Sequence, residues 1–203
     1  MKAIESEILK HLKKDKVLKK AIAQVGTIKK QKKQDLFAAL LRAIVGQQLS
    51  VKAADTIWKR FLGLFGDKIP DPNNLLKISD DQLRFVGLSY QKAGYLKNIA
   101  TFSIGQSLDR KHLKKKNDDE LIDYLVQIKG VGRWTVEMLL MYTLDRPDVF
   151  PKDDLGIQNG IKKLYGLSSE KKELIKEIEK IAESWRPHRT LACMYIWRYK
   201  DDG

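Results

Sequence analysis

The sequence predicts an all-α protein, and three observations carry that expectation. Apolar residues recur three or four positions apart along nearly the whole chain, the period of a helix with one buried face. The stretches patterned this way tend to open on Ser, Asp or Asn and to stop at Gly or ahead of Pro, the residues that cap and end helices. No segment alternates apolar and polar residues as a half-buried strand would.

The elements follow in chain order. Ile4, Ile8, Leu12, Leu18, Ile22 and Val25 make one apolar stripe with lysines on the remaining face. Residues 37–44 and 51–62 are two helices separated by Gly46-Gln47-Gln48-Leu49-Ser50, and Ser50 caps the second. Asp71-Pro72 starts a short helix in the favoured order of cap, then proline. Ser79-Asp80-Asp81-Gln82 is a capping box, and Gly87 supplies a left-handed stop. Ser89 opens the next helix, which runs through Leu96 and Ile99, and the basic run at 109–116 reads as a loop. Helices over 117–128 and 133–144 are separated only by Lys129-Gly130-Val131-Gly132. Pro147 and Pro151 break the chain, after which 155–164, 170–185 and 189–199 continue the helical pattern.

Composition narrows the function classes. With 203 residues, 43% of them hydrophobic, the chain can bury roughly 70% of its unfolded surface without disulfides or metal. Its single cysteine, Cys193, falls in the last helix as a core residue. It excludes a disulfide framework and any iron–sulfur or zinc site built from four thiolates. His11, His112 and His188 lie in separate segments without ligand spacing. There is no apolar run of 18 residues, and the lysine-rich N-terminus has no signal-peptide core. These features predict a soluble intracellular protein with no membrane partner, in the cytoplasm or nucleoid of a prokaryote or the nucleus of a eukaryote. The formal charge of +13 points to a polyanionic partner, an argument about partners and not about fold. It is uneven: residues 1–33 hold eleven lysines against Glu5, Glu7 and Asp15.

The segment from Leu125 to Val136 carries the sharpest local signal. Gly130 permits a tight backbone reversal, Gly132 permits close approach of the backbone to a partner, and Val131 between them can plug the two helices. The amides that open the following helix, together with Lys129 and Arg133, make a phosphate-binding corner. This pattern resembles a helix-hairpin-helix element. Twenty residues beyond Trp134, after one helix and a loop containing Pro147 and Pro151, Asp154 brings a carboxylate back towards the hairpin. That order is the signature of the helix-hairpin-helix DNA glycosylase superfamily. Ile44-Val45-Gly46-Gln47-Gln48-Leu49-Ser50 is similar to the first-barrel-helix signature of its DNA-3-methyladenine glycosylase II, or alkylbase, branch. Gly87-Leu88-Ser89-Tyr90-Gln91-Lys92-Ala93 resembles that branch's wedge loop, and the stretch from Trp185-Arg186-Pro187 to Ile196-Trp197-Arg198 resembles its last helix. The chain has no room for the N-terminal β domain of the long form, so it resembles the compact form.

The resemblance implies an architecture of two helical lobes with an active-site cleft between them. One is a central barrel over 34–145 that includes the helix-hairpin-helix at about 118–144; the other is formed by 1–33 with 146–203. It implies a monomer without a cofactor that flips a damaged base out of double-stranded DNA. Asp154 is then the catalytic acid, which stabilises the cationic sugar and orients a water on it, while Asp153 serves as a cap or loop residue. Trp134, Met138 and Trp197 line the base pocket. Tyr90 is the wedge, Gln48 meets the DNA near it while Gln47 turns inward, and Lys129, Gly130, Val131, Gly132, Arg133 and Thr135 hold the backbone. Carbonyls of Ile128 and Val131 are donors for a monovalent cation. In bifunctional branches a lysine follows the Gly-x-Gly-Arg of the hairpin; here Trp134 stands there, which implies a monofunctional enzyme releasing 3-methyladenine and 7-methylguanine. Two alternatives stay open: a glycosylase for deaminated, etheno or mismatched bases, and a noncatalytic DNA-binding module.

Overall fold

The computed structural model describes residues 2–28 and 34–201, side chains from residue 6 to residue 200, and every regular element among them is a helix. In chain order these are α1 (Lys2–Leu12), α2 (Lys16–Val25), α3 (Leu36–Gly46), α4 (Val51–Gly63), α5 (Pro72–Lys77), α6 (Asp80–Phe85), α7 (Tyr90–Gly105), α8 (Arg110–Leu113), α9 (Asp118–Leu125), α10 (Arg133–Tyr142), α11 (Leu155–Tyr165), α12 (Lys171–Glu183) and α13 (Arg189–Asp201). The side chain of Ile4 and the lysines of 29–33, both part of the N-terminal expectations, lie outside the described residues. Among the described residues no helix is long and apolar enough to cross a membrane.

The chain divides into two compact units, Lys33–Leu144 and Met1–Lys32 with Asp145–Gly203. In the first unit α3 is the centre. Seven of its residues, from Leu36 to Val45, are buried, while Ala38, Arg42 and Gly46 stay partly exposed on one face, so it packs against α4, α7 and α10 rather than against one neighbour. The caps read from sequence do their work here. Ser50, Asp71 and Ser89 accept the amides of Ala53, Asn73 and Lys92, and Ser79 and Gln82 complete a reciprocal capping box. Two expectations change. The basic run is not all loop, because Asp109 accepts the amides of Lys111 and His112 and starts the short α8. The helix expected over 117–128 stops at Leu125, capped at its start by Asn117 with Glu120.

In the second unit α11 packs against α2, α12 and α13. The N-terminal stripe is two helices rather than one. Asp15 breaks it by turning its carboxylate onto the amides of Val17 and Leu18 at 2.9 and 3.0 Å, a local bond that competes with helix continuation. The other oxygen of Asp15 accepts the Tyr165 hydroxyl at 2.5 Å and the indole N–H of the fully buried Trp185 at 3.1 Å. Burial pushes the Asp15 carboxyl up, but the hydrogen bonds from Tyr165, Leu18, Trp185 and Val17 outweigh it and hold the group below the usual range. Asp148 anchors the segment leading to α11. It takes Arg189 in a two-point pair at 2.8 and 2.9 Å, and Arg186 at 2.6 Å. Cys193 is buried, and burial pushes its thiol up, which leaves it unreactive.

Candidate functional site

The hairpin between α9 and α10 is built around one glycine that nothing else could replace. Gly130 has φ +104°, and a Cβ there would sit 2.2 Å from the ring of Tyr95 on α7. The turn is closed by the Val131 amide donating to the Ile128 carbonyl at 2.9 Å, with both side chains buried as the plug. The next two carbonyls are also held: Asn98 donates to Lys129 O and Gln47 to Gly130 O, each at 3.2 Å. Gly132 differs from Gly130. Its φ is −91°, it is the N-cap of α10 without a side-chain cap bond, and a Cβ there would meet nothing within 4 Å. The first turn of α10 therefore starts beside an open backbone position, with Lys129 and Arg133 exposed next to it.

Two of the expected hairpin residues have surroundings that the motif does not reveal. Thr135 is only 4% exposed, so its hydroxyl is not a surface group, and its amide in the first turn is what it can offer. The Arg133 Nε donates to the nearly buried Glu137 at 3.1 Å, one turn along the helix, a partner the motif did not reveal. Trp134 is 50% exposed, and Met138, at i+4, lies half-buried on the same face of α10.

Beside the hairpin in this unit lies the loop carrying Gln47 and Gln48. Gln47 turns inward to Gly130, whereas Gln48 is exposed and takes a left-handed φ of +57°. Lys92 holds this bend, donating to Val45 O at 2.9 Å and Gln47 O at 2.7 Å. Its ammonium caps the carboxyl end of α3, and burial lowers its proton affinity. Tyr90, the first residue of α7, is 59% exposed, and the guanidinium carbon of Arg84 lies 3.8 Å from its ring centroid. Lys92, Tyr95 and Asn98 thus place the glutamine loop and the hairpin against one helix, whose first residue is Tyr90. Nothing local in the sequence marks this function of α7, because the partners of Lys92 and Asn98 lie 31 to 47 positions away.

The acid belongs to the other unit. Asp154 is the N-cap of α11, and its Oδ1 accepts the Ile157 amide at 2.7 Å. The same oxygen accepts the indole N–H of Trp197 on α13 at 2.9 Å. The cap is Asp154 itself, while Asp153 is exposed and leaves no cap to assign to it. Trp197 is more than a flat wall, because its N–H orients the carboxylate. Gly156 makes room for both: a Cβ there would lie 2.9 Å from Asp154 Oδ1 and 3.0 Å from the Trp197 ring.

For a cation, the donors at the hairpin are backbone carbonyls. Ile128 O keeps one lone pair beyond its bond to the Val131 amide. Such neutral oxygen donors fit a hard monovalent ion rather than a transition metal. No cluster of three or more metal-ligating side chains occurs among the described residues.

Comparison with known proteins gives the same direction. The family model described as HhH-GPD superfamily base excision DNA repair protein matches residues 41–187. DNA-3-methyladenine glycosylase 1 of Schizosaccharomyces pombe is 36% identical over 185 residues, covering 90% of this chain and 80% of its own. An alkylbase DNA glycosidase-like protein of the same yeast is 33% identical, over 80% and 76%. The S. pombe 3-methyladenine DNA glycosylase solved with abasic DNA superposes with a TM-score of 0.83 at 34% identity, covering 94% and 95% of the two chains. A DNA-3-methyladenine glycosidase of Bacillus halodurans superposes at 0.82 and 34% identity, over 94% and 87%.

Proposed function

The chain belongs to the HhH-GPD superfamily of base excision DNA repair proteins, and from that premise we propose that it hydrolyses the N-glycosidic bond of alkylated purines in duplex DNA, releasing 3-methyladenine and 7-methylguanine. The observation that carries this reading is the carboxylate of Asp154, fixed through one oxygen by Ile157 N–H and Trp197 N–H. Held on that edge, it can face a reacting sugar without reorganising at the moment of reaction.

The damaged nucleotide leaves the stack, at a cost of a few kcal/mol in unstacking, and Tyr90 fills the gap. As the bond from C1′ to the purine nitrogen breaks, its electron pair leaves with the base and the sugar gains positive charge. Asp154 stabilises that charge and orients a water, whose oxygen bonds to C1′. A methylated purine is cationic, so the indole faces of Trp134 and Trp197 attract it; such contacts contribute about 0.5–2 kcal/mol. Met138, on the same face of α10 as Trp134, adds apolar surface beside that ring. Lys129, Arg133 and the first amides of α10, Thr135 included, hold the backbone together with Gly130, Val131 and Gly132, and Gln48 meets the DNA beside Tyr90. When bound, a monovalent cation at the Ile128 and Val131 carbonyls supplies positive charge to a phosphate.

An aromatic ring at Trp134 supplies no amine for a Schiff base, which supports a hydrolase without strand cleavage. The test is base release from methylated duplex DNA, with strand breakage compared before and after alkali. Release of 3-methyladenine with breakage only after alkali is expected. Asp154→Asn should lower release by about 10²–10⁴-fold. Undiminished release by that variant removes Asp154 from the mechanism, and no release by the wild type leaves the DNA-binding module.

A further inference from the structure

Arg84 and Tyr90 are set opposite one another by a loop with little freedom. Val86 and Leu88 are buried, Gly87 has φ +104° with Ile57 close beneath it, and Ser89 caps α7 through the Lys92 amide at 3.1 Å. On this frame the Arg84 guanidinium rests on the Tyr90 ring, 3.8 Å from carbon to centroid, and both side chains are exposed. One face of the ring is therefore covered in the free protein. A ring inserted into a base stack touches bases on both faces, so the guanidinium and a stacked base compete for the same surface. Base stacking on an aromatic is the stronger of the two contacts when the cation–ring pair is exposed to solvent.

We propose that Arg84 is the second half of the wedge: it covers Tyr90 in the free protein, yields that face to a base on insertion, and passes to a backbone phosphate beside the opened stack. The proposal rests on Tyr90 being the wedge. The exchange trades a solvent-exposed cation–ring contact for a charge-assisted phosphate contact, and it keeps the aromatic surface covered until DNA is engaged.

The test measures affinity for an abasic duplex between 50 and 200 mM salt, with 2-aminopurine beside the abasic site reporting insertion by quenching. Wild type, Arg84→Gln, Arg84→Lys and Tyr90→Ala are compared, with thermal melting to verify folding. Arg84→Gln should lose about 0.9 from the slope of log affinity against log salt, the loss of one phosphate contact. It should bind about threefold to tenfold more weakly and keep the quenching. Arg84→Lys should retain the slope, since the charge remains. An unchanged slope in Arg84→Gln, or an equal loss in Arg84→Lys, overturns the phosphate contact. Loss of quenching in Arg84→Gln overturns it too, because Arg84 would then be a fixed support for the ring. Failure of the wedge reading looks different: Tyr90→Ala would quench and bind as the wild type does.

Discussion

The indole N–H of Trp197 and the backbone N–H of Ile157 converge on one oxygen of Asp154, at 2.9 and 2.7 Å. Trp197→Phe keeps a flat aromatic ring, smaller than the indole, and removes the donor. A hydrogen bond to a charged group contributes about 1.5–3 kcal/mol, so single-turnover base release should fall by about tenfold to a hundredfold. Affinity for an abasic duplex should hardly change. Equal losses in both would mean that Trp197 supports DNA binding as a whole rather than the carboxylate in particular.

Gly156→Ala presses on the same pair, because its Cβ would come within 2.9 Å of Asp154 Oδ1 and 3.0 Å of the Trp197 ring. Alanine favours a helix over glycine by about 1 kcal/mol, so thermal stability should stay close to wild type. Base release should drop by about tenfold, on the order of one lost hydrogen bond to the carboxylate. Wild-type turnover in this variant would show that the carboxylate tolerates displacement.

The two hairpin glycines should part company. Gly130→Ala must adopt a left-handed φ and collide with Tyr95 at 2.2 Å, a loss of about 2–4 kcal/mol in denaturant unfolding. Gly132→Ala meets nothing within 4 Å and should change stability by less than about 0.5 kcal/mol, while DNA affinity falls because the added methyl stands where the backbone would approach a phosphate. Matching stability losses at both positions would contradict this division.

Removing the Lys92 ammonium strands the carbonyls of Val45 and Gln47. Lys92→Met should destabilise by about 1–3 kcal/mol and weaken binding to an abasic duplex beyond what the stability loss explains, since the bend at Gln48 loosens. Full affinity at a temperature where the variant is folded would detach Lys92 from the DNA surface.

His188 makes stability fall on mild acidification. Burial, and then the charge of His11, whose ring lies 5.5 Å away, lower its proton affinity, opposed by Asp148. Asp148 is itself paired to Arg186 and Arg189. Its folded value lies below the unfolded one, near 6.5, so the unfolded chain binds more protons between the two. The contribution is complete above about pH 6.5 and declines as pH falls through the folded value. Melting temperatures at pH 7.5 and 5.5 should differ less for His188→Gln than for the wild type.

Much of this molecule is written in local chemistry. Ser50, Asp71, Ser79 and Ser89 mark their helices because a cap needs only neighbours two or three residues away, and the plug at Val131 follows from two flanking glycines. The N-terminal stripe misled because apolar spacing carried on through Asp15, and only the carboxylate's turn onto Val17 and Leu18 shows the break. What stayed hidden depends on residues far apart in the chain. Trp197 lies 43 positions from Asp154 and Gln47 lies 83 from Gly130, and no periodicity encodes such pairs. The aromatic at 197 was visible; that its edge rather than its face meets the acid was not.

Because the acid is also the first residue of a helix, its chemistry and its scaffolding can be pulled apart by one particular replacement. Asparagine begins helices about as well as aspartate, whereas alanine does not. The amide variant should therefore keep α11 and discard only the negative charge, giving an intact but silent protein suited to capturing the nucleotide it would otherwise have processed.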